Sequence, residues 1–187
     1  MANETKITND IDAIPSLAQS KRQIDRYHLD IDAQAVLVAS RLMAAGAKLG
    51  HASEIHFSRF GLSTGRYRLL ADLEDNEGEV LPSQLAEHLG VTRATVTGLI
   101  DTLERDGLVS RRSSSVDGRQ KAVILTEQGA RKLREMAPEH FARLEAMVGL
   151  LSIEERSVFL DLLGRVTKGI SALTDEPVGS KEHISNE

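Results

Sequence analysis

The chain has 187 residues, no cysteine, no tryptophan, few aromatics and a formal net charge of −5. That length suits one domain with helical extensions and can bury a core, while the missing cysteines exclude disulfides, Cys-ligated zinc and thiol redox chemistry. An acidic average argues against nucleic acid when taken alone, because phosphate binding needs Lys and Arg.

Residues 1–27 are polar and are expected to be a mobile extension with a short helix inside 14–24. The opening MANETKITNDID lacks the basic-then-apolar order of a signal peptide. From Leu29 the pattern becomes helical, with Ile31, Ala35, Val38, Leu42 and Ala45 at three- and four-residue steps, and the helix is expected to run past Gly50 towards Phe57. The apolar region 33–49 is broken by Gln34, Arg41 and Lys48, short of the roughly 18–20 uninterrupted apolar residues of a membrane span. A cytoplasmic protein with no membrane partner is expected. Ser63 caps the next helix, with Tyr67, Leu70 and Leu73 on one face. The acidic run Glu74-Asp75-Asn76-Glu77-Gly78-Glu79 reads as a solvated loop.

Pro82 suits the first turn of a short helix carrying Leu85, Ala86 and Leu89, and Gly90 suits its C-terminal turn. Thr92 caps a longer helix, with Val96, Leu99, Ile100 and Leu103 inward, that ends at Asp106-Gly107. Two strands are then expected, Leu108–Arg112 and Lys121–Leu125, around the polar loop 113–120. Thr126 caps a helix with Ala130, Leu133, Met136 and Ala137 that Pro138 is expected to kink. Its apolar stripe continues through Phe141, Leu144, Met147 and Leu151. Ser152 caps a last helix with Val158, Phe159, Leu162, Leu163 and Val166.

The fold class expected is mainly α with a small β-hairpin wing: a winged helix-turn-helix with N- and C-terminal dimerisation helices. The division is 1–27 extension, 28–61 and 126–172 dimerisation helices, 62–125 winged unit, and 173–187 a disordered acidic tail. The outer helices carry apolar stripes with little of the winged unit left to cover them, so a second copy of the chain is the simplest partner.

Two helices joined by Gly90-Val91, the second capped by Thr92, form a helix-turn-helix, which presents the outward N-terminal residues of its second helix to base edges in the major groove. The outward residues are Arg93, Ala94, Thr97, Gly98 and Asp101, and Thr95 joins them as a DNA-binding candidate. Arg93 can reach guanine or phosphate, Thr97 can donate to a base or touch a thymine methyl, and Ala94 and Gly98 allow close approach. Between Ser110 and Lys121 stand four basic residues, Arg111, Arg112, Arg119 and Lys121, against one acid, Asp117. They place a basic spot on the wing inside an acidic average. Arg119 can enter a minor groove. Asp117 fits there as a partner of Arg119 or of loop amides. Turn chemistry alone accounts for Asp117 and Gly118 but not for the four cations together.

The run from Leu62 to Gly129 resembles the multiple-antibiotic-resistance regulator (MarR) family of bacterial winged-helix repressors. The resemblance rests on LAEHLGVTRATVTGLIDTLERDGLVSRR, the wing Asp117-x-Arg119, and Leu125-Thr126-Glu127-x-Gly129. It covers roughly residues 30–170. It implies a homodimer with interlocking terminal helices, a pseudo-palindromic duplex operator, usually repression, and a pocket for phenolic or other aromatic acids between the dimerisation helices and the winged unit. Gly98 stands where many members carry a long polar or basic side chain, and Gly118 where the wing often has a basic residue, which implies fewer side-chain contacts to DNA. The absence of cysteine excludes the peroxide-sensing branch. Tyr67-Arg68 in place of a Trp-Asp pair disfavours urate.

An aromatic carboxylate effector needs cations and hydroxyls beside an apolar cleft. The candidates are Arg41, His51, His56, Arg59, Arg66 and Tyr67, with Tyr67 as aromatic wall and Arg66 or Arg59 as carboxylate partner. The same residues also suit surface ion pairs and a core tyrosine. The six histidines lack the spacing of a metal face. No metal site, cofactor or enzymatic motif is expected. A metal-responsive regulator and a winged-helix protein adaptor remain as alternatives.

Overall fold

The computed structural model describes residues 16–76, 78–114 and 119–174. Ten elements follow one another: α1 (Leu17–Arg26), α2 (Ala33–Ser58), α3 (Thr64–Asp75), β1 (Glu79–Val80), α4 (Pro82–Leu89), α5 (Arg93–Arg105), β2 (Val109–Ser113), β3 (Lys121–Leu125), α6 (Glu127–Met147) and α7 (Ile153–Lys168), and a 3₁₀ turn, Ile170–Leu173, closes the described chain. The fold is mainly helical with a small antiparallel sheet. None of the described helices is long and apolar enough to cross a membrane. The chain divides into two compact units, one to Leu133 and one from Arg134. That division falls inside α6.

In the first unit, Ser16 and Gln19 form a reciprocal cap at α1. The short helix expected inside 14–24 is α1, which runs to Arg26 and lies beside α2. Leu29 and Ile31 precede α2. The helix starts only after Asp32, whose carboxylate accepts the Gln34 N–H at 2.8 Å. It then continues through Gly46 and Gly50 to Ser58.

The acidic run expected to be a loop is divided by the structure. Asp75 still belongs to α3, Asn76 caps it, and Glu79 and Val80 form β1, paired with Ile124 and Val123. The sheet has three strands in the order β1-β3-β2, so the expected hairpin gains a third member. A two-residue strand is too short to show alternation in sequence. The core lies between these elements, with Leu69, Leu70 and Leu73 of α3, Leu85 of α4, Val96, Ile100 and Leu103 of α5, Val109 of β2 and Val123 of β3 all buried.

One junction ties α5, β2 and α6 together. Gly107 turns the chain out of α5 with φ of 74°, a left-handed conformation that glycine adopts without strain. The Thr126 hydroxyl donates to the Gly107 carbonyl at 2.7 Å, and the Thr126 N–H donates to the Leu108 carbonyl at 3.1 Å. The Thr126 Oγ1 also accepts the Gly129 N–H at 3.1 Å, which caps α6. Gly129 sits hard against the same turn. A Cβ there would lie 2.2 Å from the Leu108 carbonyl oxygen and 2.7 Å from Leu125 Cδ1.

In the second unit α6 runs through Pro138 to Met147. Ser152 and Glu155 cap α7 reciprocally. None of the residues of α7 is buried, although it carries Val158, Phe159, Leu162, Leu163 and Val166.

Replacing Gly129 by Ala is expected to lower unfolding stability by about 2 kcal/mol, because backbone rather than a flexible side chain blocks the new methyl. Urea denaturation measures it. A neutral or stabilising result would mean that the α6 start is free to shift.

Candidate nucleic-acid interface

The helix-turn-helix is built by its caps. Gly90 ends α4 with φ of 67°, and the Val91 N–H donates back to the Ala86 carbonyl at 3.0 Å. Two residues later the Thr92 hydroxyl accepts the Thr95 N–H at 3.1 Å and starts α5. The turn is therefore short, and burial of Leu85, Ala86, Leu89, Val96, Ile100 and Leu103 fixes how α5 faces. Arg68 of α3 donates to the Leu89 carbonyl at 3.0 Å, and His88 of α4 contacts the Asp72 carboxylate at 3.0 Å, so α3 braces the motif from behind.

The outward row of α5 expected from the sequence pattern, Arg93, Ala94, Thr97, Gly98 and Asp101, is exposed, and so is Thr95. Two of these hydroxyls are already engaged. Thr95 Oγ1 bonds Thr92 Oγ1 at 2.9 Å, and Thr97 Oγ1 donates to the Arg93 carbonyl at 2.9 Å. A Cβ at Gly98 would meet nothing within 4 Å.

The basic segment after α5 does not form a row of free cations. Arg111 in β2 is clamped by two carboxylates of α5, Asp101 and Glu104, and its N–H donates to Glu104 at 3.0 Å. Burial works against its charge, but the bonds from Asp101 and Glu104 outweigh burial and hold the guanidinium above its ordinary range. Arg112 donates to Glu79 of β1 at 3.1 Å, and Ser114 donates to the same carboxylate at 3.1 Å. Lys121 reaches the Ser113 hydroxyl at 3.3 Å. Arg119 is exposed, while Asp117 and Gly118 lie outside the described residues. Sequence reasoning placed these arginines on the wing but missed their acidic partners. The available signal was Asp101 and Glu104 three apart on α5, one helical turn, which puts both carboxylates on one face.

Of the candidate effector residues, Arg66 and Tyr67 share the start of α3. Arg66 donates to the Gly61 carbonyl at 3.1 Å and pairs with Asp106, the residue that ends α5. Tyr67 stacks on Phe57 at 4.2 Å, and His56 meets Phe57 and Phe60 edge-on at 5.0 and 5.4 Å. Arg59 follows at the exposed end of α2. Arg41 and His51 are exposed further back along α2, Arg41 about 27 Å before Arg59 at the rise of an α-helix. One protomer therefore gathers Arg59, Arg66 and Tyr67 at one end of α2 but not Arg41. Burial raises the Tyr67 phenol above its usual range, and Glu74 and Asp75 add to it. Among the described residues no group of three His, Cys, Asp or Glu side chains could hold a metal ion.

A capped helix-turn-helix followed by a sheet whose last two strands form a hairpin defines a winged helix-turn-helix protein. Residues 60–120 match the model of the MarR family. The chain is 36% identical over 149 residues to the HTH-type transcriptional repressor YetL of Bacillus subtilis, spanning 79% of this chain and 89% of that one. Among solved structures it resembles AbsC, a MarR family transcriptional regulator from Streptomyces coelicolor (TM-score 0.68, 24% identity, 76% of this chain and 97% of that one). It also resembles MepR of S. aureus in its complex with DNA (TM-score 0.62, 20% identity, 72% and 95%). The chain belongs to the MarR family, a family of transcriptional regulators rather than enzymes.

Replacing Arg111 by Met leaves Asp101 and Glu104 without their cation. The expected loss of unfolding stability is about 1 kcal/mol in low salt, shrinking in concentrated salt. An unchanged urea midpoint at both salts would show that the clamp adds nothing to stability. Tyr67 supplies a pH test. Its raised folded-state pKa means that ionisation favours the unfolded chain, so its contribution is full below the ordinary value of 10.0 and is lost as pH rises beyond it. Tyr67→Phe is expected to flatten the stability curve between about pH 9 and 11. Identical curves for the two proteins would contradict the shift.

Proposed function

We propose that the protein is a ligand-responsive repressor that binds a pseudo-palindromic duplex as a homodimer and is released by a small aromatic or anionic effector. The observation that carries the dimer is α7, an amphipathic helix with no buried residue. A helix with an apolar stripe gains its stability by covering that stripe, and the same face of a second copy is self-complementary under two-fold symmetry. Such a dimer would set two copies of α5 about one duplex turn apart, roughly 34 Å. Its cytoplasmic setting is part of this reading, since its target is chromosomal duplex.

The wing and recognition helix support the DNA reading by the charges they leave outward. Asp101 and Glu104 would repel phosphate if unpaired, and Arg111 holds both. Arg93, Arg119 and Lys121 are exposed and can approach the backbone. The repressor reading is supported by the relative YetL, and the duplex by the DNA complex of MepR.

The effector reading is supported by Arg66. It holds Asp106, the C-cap of α5, from the start of α3, one residue before Tyr67 of the Phe57–Tyr67 stack. An aromatic carboxylate seated there would compete with Asp106 for the guanidinium and loosen the C-terminal end of the recognition helix. By linkage, DNA and effector would weaken each other equally.

The test measures affinity of the purified protein for the duplex upstream of its own gene at two salt concentrations, with a panel of aromatic acids. Arg93→Ala and Arg119→Ala are each expected to weaken binding and make the salt slope shallower by about one unit for each phosphate no longer neutralised. Arg66→Gln is expected to keep DNA binding and lose release. Sedimentation should find a dimer that Phe159→Glu dissociates. Failure to bind either that duplex or random duplex would overturn the proposal, and binding that no acid relieves would remove the effector from it.

A further inference from the structure

Thr97 stands in the middle of the outward row of α5, and its hydroxyl is turned back into the helix. Oγ1 donates to the Arg93 carbonyl at 2.9 Å. The two branches on a threonine Cβ occupy different staggered positions, so a hydroxyl bonded to the preceding turn leaves the methyl as the branch offered outward. Two of its neighbours in the row are small. Ala94, one turn before, ends at Cβ, and the position beside it is Gly98, where even a Cβ would meet open space. One turn later Asp101 is drawn to Arg111. The middle of the row therefore offers a methyl group where a polar head would be needed to hydrogen-bond a base.

The major groove presents one apolar group of matching kind, the C5-methyl of thymine. We propose that Thr97 reads thymine through methyl-to-methyl contact, and that its hydroxyl takes no part in base recognition. Arg93 then supplies the charged contact at the start of the helix, and Thr97 supplies selection. This inference rests on the DNA-binding reading above.

The experiment begins with a duplex enriched from a random pool by the purified full-length protein. That duplex is then made in two forms, with thymidine throughout or with deoxyuridine throughout, which differ only by the methyl. Wild-type protein is expected to bind the deoxyuridine form about four-fold more weakly for each thymine methyl that Thr97 no longer meets, roughly fifteen-fold for two half-sites. Thr97→Val keeps a methyl and removes the hydroxyl; it is expected to bind within about two-fold of wild type and to keep the discrimination. Thr97→Ser keeps the hydroxyl and removes the methyl; it is expected to bind the thymidine form as weakly as wild type binds the deoxyuridine form, and to show no further loss on deoxyuridine. Thr97 is exposed, so all three proteins should melt alike.

Equal wild-type binding to the two duplexes would overturn the inference while leaving the DNA-binding reading in place. So would discrimination that persists in Thr97→Ser, or binding abolished in Thr97→Val and kept in Thr97→Ser, which would assign the recognition to the hydroxyl. Enrichment of no duplex at all would instead strike at the DNA-binding reading, and this inference would fall with it.

Discussion

The turn at Gly107-Leu108 is where three elements acquire their relation to one another. Its two carbonyls accept from the Thr126 hydroxyl and the Thr126 N–H, and Gly129 closes on the Leu108 carbonyl so tightly that no side chain fits. The recognition helix ends there, the strand that leads into the wing begins there, and the helix leaving the winged unit starts against it. Hydrogen bonds to buried carbonyls are costly to leave unmade, so α5, β2 and the first turn of α6 hold one arrangement. A Thr-x-x-Gly sequence at the start of a helix is ordinarily just a cap. Here the threonine satisfies the α6 N-terminus and the end of α5 with one hydroxyl, and the glycine makes room for both.

Electrostatics continues the same construction. A chain of net charge −5 cannot place positive potential on DNA by composition. Pairing its acids with arginines would lower their repulsion of phosphate. Asp101 and Glu104 lie on the recognition helix itself, and Glu79 lies on the edge strand, yet each meets an arginine of β2. Arg111 and Arg112 thus neutralise acids and tie β2 to other elements, Arg111 to α5 and Arg112 across the sheet to β1. In the proposed complex Arg93, Arg119 and Lys121, all exposed, would meet the phosphates. The wing is stiffened by the cations that composition alone would assign to DNA.

The parts of this structure that were legible in the sequence are those with a local cause. Gly90 and Thr92 announce the turn and the cap, and the three- and four-residue spacing of Val96, Ile100 and Leu103 announces which face of α5 is buried. Ser63 and Ser152 mark helix starts for the same reason. What was hidden depends on partners distant in sequence. Two residues of β1 carry no period, and only β3, more than forty residues later, makes Glu79-Val80 a strand. Spacing places Asp101 and Glu104 on one face of α5, but it does not say that Arg111 meets them, or that Arg66 faces Asp106. The direction of the Thr97 hydroxyl is a rotamer choice, and a sequence leaves donor and methyl equally available.

The recognition helix is held differently at its two ends, and this decides where a signal can act on it. At the N-terminus it has a cap made of its own neighbours, Thr92 and Thr95, facing outward. At the C-terminus Asp106 is held by Arg66 of α3, and its carbonyl accepts from Gln128 of α6 at 3.3 Å. Both of these holders belong to elements other than the helix-turn-helix. In the proposed regulator, an effector that displaces Asp106 from Arg66 would act on α5 from its C-terminal end. Movement there would tilt the N-terminal row against the groove as a lever, since a helix of thirteen residues is about 20 Å long and its far end magnifies a small displacement. In the proposed dimer the two recognition helices would have to stay in register with one duplex turn, and a tilt of this kind would weaken the second half-site.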